Sequence, residues 1–163
     1  MKKIKLFSLV AIILGGLFLL SGCGSSSLDG SLEDIMNDLN DYVYEGYADD
    51  EKPMLGSINV LQDAPDNVEY YIGTTDIEYE EILASEPMMS SIAYSVVLVR
   101  MKDGADIESA KDEILNNVDP RKWICAEVAK EDVIVKNRGN VIILIMVENA
   151  EFRNKLSKGF EQI

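Results

Sequence analysis

The sequence predicts a single α+β domain, and three observations carry that prediction. Residues 92–101 form an almost unbroken, valine-rich apolar run, as expected of a strand covered on both faces or nearly so. Two further apolar segments, 132–136 and 141–147, flank Asn137-Arg138-Gly139-Asn140, residues that tolerate positive φ and so close a hairpin. Helical spacing falls between and after these strands. The resulting β-α-β-β-α order predicts an antiparallel or mixed sheet with helices packed mainly on one face, preceded by an amphipathic helix and a signal peptide.

The elements follow in order. Residues 31–46 read as the N-terminal helix. Leu32, Ile35, Met36, Leu39, Tyr42 and Val43 share one face, while Glu33, Asp34, Asn37, Asp38 and Asp41 occupy the other. Ser31 is placed to cap it, with Asp34 three residues on, and Gly46 stands where a left-handed residue ends a helix. Residues 57–61 read as a short strand, and Ala64-Pro65-Asp66-Asn67 as a turn. Val68, Tyr71 and Ile72 fit a helical turn closed by Gly73, and residues 78–84 read as another short helix. After the strand ending at Met101, Asp103-Gly104 turns the chain. Asp106 then caps a helix that buries Ile107, Ala110, Ile114, Leu115 and Val118, and Pro120 stops it. The last helix, 150–163, turns Phe152, Leu156, Phe160 and Ile163 inward. Its Arg153, Lys155 and Lys158 face outward, toward the C-terminal end that favours cations.

Residues 1–22 predict a lipoprotein signal peptide. Lys2, Lys3 and Lys5 precede the apolar stretch 6–20, which is shorter than the roughly 20 residues a spanning helix needs. Leu20-Ser21-Gly22-Cys23 follows as a lipobox, in which small residues admit the peptidase and the Cys23 thiol accepts the diacylglycerol group as a thioether. Two or three acyl chains, at about 0.8 kcal/mol per buried methylene, anchor stably where one does not. Residues 23–30 then make a flexible tether, beginning Cys-Gly-Ser-Ser-Ser. Removing 22 of the 163 residues leaves 141, which suits one domain spanning 31–163.

Charge and cysteine content narrow the function classes. All 29 acidic residues but only 12 of the 15 basic ones follow Cys23, so the mature chain carries about −17. That field repels nucleic acid and anionic headgroups, and it attracts basic protein patches or divalent ions. With Cys23 acylated, only Cys125 remains, and its apolar neighbours Trp123, Ile124 and Ala126 suggest a buried inert thiol with Trp123 as a core anchor. The chain has no histidine. Cys-His and Ser-His-Asp nucleophile systems and histidine-ligated zinc are therefore excluded.

The remaining constellations are weighed on their spacing. Asp76, Glu78, Glu80 and Glu81 form a dense acidic group, but they lack the calcium-loop pattern and read as a solvated face, as do Asp49, Asp50 and Glu51. No cofactor motif and no metal-ligand spacing is present. Met88 and Met89, after Glu86-Pro87 and close to Tyr94, are candidates for an adaptable apolar contact surface, with edge-sealing core methionines as the alternative. Tyr42, Tyr44 and Tyr47 are a second possible contact patch.

Glu86-Pro87-Met88-Met89, the following strand, Lys102-Asp103-Gly104, an acidic helix, Trp123 and the Gly139 hairpin together resemble a lipoprotein family of Gram-positive Firmicutes whose domain has no assigned function. The resemblance covers roughly residues 54–147. It implies a Gram-positive cell-surface location, and no reaction, cofactor or catalytic residue. The sequence thus predicts a non-enzymatic lipoprotein, lipid-anchored on the extracytoplasmic face of the cell membrane, that binds or scaffolds a protein partner of the envelope. The alternative is a small carboxylate-dependent hydrolase or divalent-metal-binding protein. A two-lobed solute-binding protein does not fit the length.

Overall fold

Five antiparallel strands make the open sheet at the centre of the molecule. The computed structural model describes residues 28–163; the expected signal peptide, the expected lipobox with Cys23 and the first part of the expected tether lie outside the described residues. The strands are β1 (Leu55–Asn59), β2 (Tyr79–Pro87), β3 (Tyr94–Met101), β4 (Ile134–Arg138) and β5 (Val141–Val147). They lie in the order β1-β2-β3-β5-β4. The helices are α1 (Leu32–Val43), α2 (Val60–Asp63), α3 (Val68–Ile72), α4 (Ile107–Asn117) and α5 (Ala150–Gln162). The predicted α+β class and antiparallel sheet are present.

Helices cover both faces of the sheet, rather than mainly one. Side chains alternate along each strand, so β3 sends Val97, Val99 and Met101 one way and Val96 and Leu98 the other. β5 does the same with Ile142, Leu144 and Met146 against Ile143 and Ile145. The first set packs with Val60 of α2, Tyr71 and Ile72 of α3, Ile114 of α4, and Trp123. The second packs with Leu32, Met36 and Leu39 of α1 and with Leu156 and Phe160 of α5. Every residue of β5 is buried, which is why its sequence shows no polar alternation.

Local chemistry sets the boundaries. Ser31 and Asp34 complete a reciprocal capping box at α1, with the Asp34 amide donating to Ser31 Oγ at 3.1 Å. That bonding holds the Asp34 carboxyl below its ordinary value. Asp106 caps α4 by accepting from the Ser109 amide, and left-handed Gly73 ends α3. The β4–β5 hairpin closes through Gly139 at φ +55°.

Three local expectations fail. The short helix expected at 78–84 is absent: residues 79–84 belong to strand β2, because pairing to β1 and β3 overrides a weak local preference. The strand expected at 57–61 is shifted to Leu55–Asn59, and Val60 opens α2. Arg153 is buried at 8% exposure and does not face outward. It lies on the same stripe as Leu156, Ser157 and Phe160, and it donates to the carbonyls of Val147 and Glu148 at 2.8 and 3.1 Å. Its other arm pairs with Asp132 at 2.7 Å. None of the three bases occupies the last turn of α5, so the macrodipole argument does not apply there.

α1 and α5 cross closely at Gly159. A β-carbon there would stand 2.7 Å from Tyr42 Cδ1 and 2.9 Å from Leu39 Cδ1. The missing side chain lets the two helices seal this face of the sheet together.

Candidate interaction surface

The sheet has two chemically distinct ends. At one end, Arg100 donates to the Gly30 carbonyl at 2.6 Å, so the segment preceding α1 meets the sheet where β3 finishes. The other end lies about 20 Å away, six residues back along β3 at about 3.3 Å each. There β1 and β3 begin while β2 and β5 finish.

Among the described residues, most of the large exposed apolar side chains gather at this second end. Met88 is 80% and Met89 64% exposed, immediately beyond β2. The β1–β2 register pairs Leu55 with Pro87, so Met54, also highly exposed, stands opposite Met88. Ile92 precedes β3 and is half exposed. The amide of Ile124 donates to the Ser90 carbonyl at 2.8 Å, which brings exposed Ile124 onto the same tip. Isolated exposed apolar residues are ordinary, whereas a contiguous group marks a contact surface.

Beside this group lies an apolar cleft of about 330 Å³, bounded by Pro53, Ile92, Ala93, Tyr94, Val147 and Phe152, with Glu51, Lys52 and Glu148 at its rim. Glu148 also borders a second depression lined by Arg121, Trp123, Cys125 and Glu127. Lys52 is paired with Asp49 at 3.0 Å.

The sequence-derived candidates divide. Met88 and Met89 are exposed at the tip, so they do not seal the sheet edge. Tyr94 is not a surface residue: it is 6% exposed and lies in the α1–α5 core beside Tyr44. Burial holds its phenol in the neutral form well above the ordinary range, and the adjoining Tyr44 adds to the shift. Tyr44 is likewise buried, with rings of Tyr47 and Phe152 at 6.1 and 5.7 Å, so the proposed tyrosine patch is largely an internal aromatic cluster. Trp123 is a core residue, as expected. Cys125, in contrast, is exposed with a left-handed φ of +58°, because the 119–127 loop turns outward there after burying Trp123.

A buried polar cluster anchors that loop. The Lys122 side chain is 3% exposed, and its ammonium meets Glu86 Oε1 at 2.5 Å and Ser95 Oγ at 3.3 Å. Ser95 donates to the same carboxylate oxygen at 2.6 Å. The rings of Tyr70, Tyr71 and Trp123 surround the ammonium at 4.3, 5.3 and 5.6 Å. Burial lowers the lysine pKa, while Glu86 and Asp119 oppose the shift. A serine beside a lysine of lowered pKa resembles a nucleophile and its base. However, Ser95 is fully buried in the central strand, so no substrate reaches its hydroxyl. The cluster therefore holds the tip in shape. Sequence reasoning missed it because Glu86 and Lys122 are 36 residues apart along the chain, and the segment that contains Glu86 carries no signal of a cationic partner.

The acidic group does not converge. Asp76 and Glu78 border one shallow cleft, while Glu80 and Glu81 border another, where Glu81 pairs with Arg100 at 3.4 Å. Among the described residues no three or more acidic or cysteine side chains come together to hold a metal ion, and no helix is long and apolar enough to cross a membrane. No protein family matches the chain, and no curated protein or solved structure matches it either.

Proposed function

We propose that this chain is a lipid-anchored lipoprotein of the extracytoplasmic membrane face, of the Gram-positive kind, and that its domain is a binding module for another protein of the envelope. One observation carries the reading: the exposed methionines and isoleucines lie at the end of the sheet opposite the point where the tether joins. A chain acylated at Cys23 would be held at the Gly30 end, so its apolar tip would face away from the bilayer, where a protein partner is met and lipid is not. Methionine suits such a surface, since its unbranched thioether side chain adapts to varied partners. The charge of about −17 supports spacing from an anionic envelope.

The test joins anchor and tip. A photoreactive side chain placed at Met89 in the full-length protein on cells is expected to crosslink a discrete protein neighbour, and the same group at Asp76 is not. Cys23→Ser is expected to release the protein from the membrane or to leave the precursor uncleaved. Retention of a processed, acyl-labelled Cys23→Ser chain would refute the anchor. Equal labelling from Met89 and Asp76 would refute the tip.

A further inference from the structure

The tip's rim says what its partner's chemistry is. We infer that the apolar tip seats a cationic amphipathic segment of the partner, a conclusion that rests on the tip being the contact surface. The cleft of about 330 Å³ between Pro53 and Ile92 is large enough for one or two bulky apolar side chains, at the lower end of the range for ligand pockets. Met54, Met88 and Met89 extend that apolar ground across the strand ends. Three carboxylates stand around it: Glu51 and Glu148 line the cleft, and Glu127 lines the adjoining depression together with Glu148. Against them stand Arg121 and Lys52, and the Lys52 ammonium is already held by Asp49. An apolar centre with an acidic border complements a helix that is apolar on one face and lysine- or arginine-rich on its flanks.

Charge also discriminates among occupants. A second copy of this chain would bring another charge of about −17 to the same rim, and an anionic bilayer would be repelled likewise. A basic segment gains from both the local border and the long-range field. The attraction weakens as salt screens it, with a Debye length of about 8 Å at physiological ionic strength.

The experiment uses the purified full-length protein in neutral detergent. The probe is a short leucine–lysine amphipathic peptide carrying benzophenone on its apolar face. Crosslinked residues are located by mass spectrometry. The expected result is labelling confined to the segments around Pro53–Met54 and Met88–Ile92. Yield should fall with added salt, and by about tenfold when Met88 and Met89 are both serine, the loss that about 1.4 kcal/mol of apolar contact produces. A leucine–glutamate peptide of the same pattern should not label the tip. Glu51→Gln with Glu148→Gln should weaken labelling, whereas Asp76→Asn with Glu78→Gln should not. Equal labelling by a scrambled leucine–lysine peptide, or labelling spread over the surface, would overturn the inference in favour of the overall field alone. Tip-dependent binding of the protein to protein-free vesicles would overturn it in favour of lipid. A protein neighbour captured from Met89 on cells, with no tip labelling by the basic peptide, would overturn the partner chemistry and leave the contact surface standing.

Discussion

Removing the Lys122 ammonium while keeping its volume isolates the device that shapes the tip. In Lys122→Met the Glu86 carboxylate, whose side chain is 11% exposed, keeps the Ser95 hydroxyl but loses the cation 2.5 Å away. A buried charge deprived of its partner costs about 3–5 kcal/mol. That is a large share of the 5–15 kcal/mol typical of a domain. Converting Glu86→Leu in the same chain removes the stranded charge, and buried ion pairs replaced by apolar side chains are often neutral in stability. The double variant is therefore expected to recover most of the loss, giving a coupling of about 2 kcal/mol or more in a double-mutant cycle. Urea unfolding followed by far-UV circular dichroism measures all four corners, and avoids Trp123, whose ring lies 5.6 Å from the ammonium. Amide exchange supplies a local readout: the Ile124 amide, bonded to the Ser90 carbonyl, should exchange faster in Lys122→Met, as the loop opens more often. Single and double variants all within about 1 kcal/mol of the parent would show that the pair is not what holds the loop, and the reasoning would fail.

Further outcomes follow from the same geometry. Met88→Ser with Met89→Ser should change stability by no more than about 0.5 kcal/mol per site in urea, since both side chains are mostly exposed. Gly73→Ala and Gly104→Ala both force alanine to positive φ, +81° and +83°. Only at Gly73 would the β-carbon meet backbone, at 2.3 Å from the Val118 nitrogen. Gly104→Ala should cost about 1–2 kcal/mol, and Gly73→Ala roughly 2–5 kcal/mol once overpacking is added, so equal urea midpoints would contradict the α3–α4 packing. Tyr94 and Tyr44 have phenol pKa values raised by burial. The unfolded chain releases these protons near pH 10 and the folded chain holds them, so their contribution is complete below about pH 10. It is lost as pH rises toward the folded values. Stability should fall above pH 10, tyrosinate absorbance should rise together with unfolding, and Tyr94→Phe should make the alkaline decline shallower.

Much of the architecture was legible because burial and periodicity are written locally. The capping box at Ser31, the hairpin at Gly139 and the strand at Val141–Val147 depend on residues within a few positions of one another. The apolar run of β3 already implied cover on both faces, and the one-sided helix arrangement failed because spacing within a helix does not say which face of a sheet it meets. Segment 78–84 misled for a related reason: its strand identity comes from partners at Ile58–Asn59 and Val97–Met101, not from its own composition. Met88 and Met89 could be named as surface candidates, but Tyr94 could not be separated from them. One step of strand geometry decides whether a side chain enters the core or remains at the tip.

The sequence by itself determined the α+β class, the strongly acidic charge, the absence of histidine, the caps at Ser31 and Asp106 and the turns at Gly73, Gly104 and Gly139, because each depends on residue identity or short-range spacing. Tertiary structure alone decided which side chains meet across long stretches of chain. It set Lys122 against Glu86, turned Arg153 inward to strand carbonyls, and left Cys125 exposed. It also put Met54, Met88, Ile92 and Ile124 at the end of the sheet away from Gly30. The physical reason is that strand register and loop docking are settled by the collective packing of two cores, and no local pattern encodes that sum.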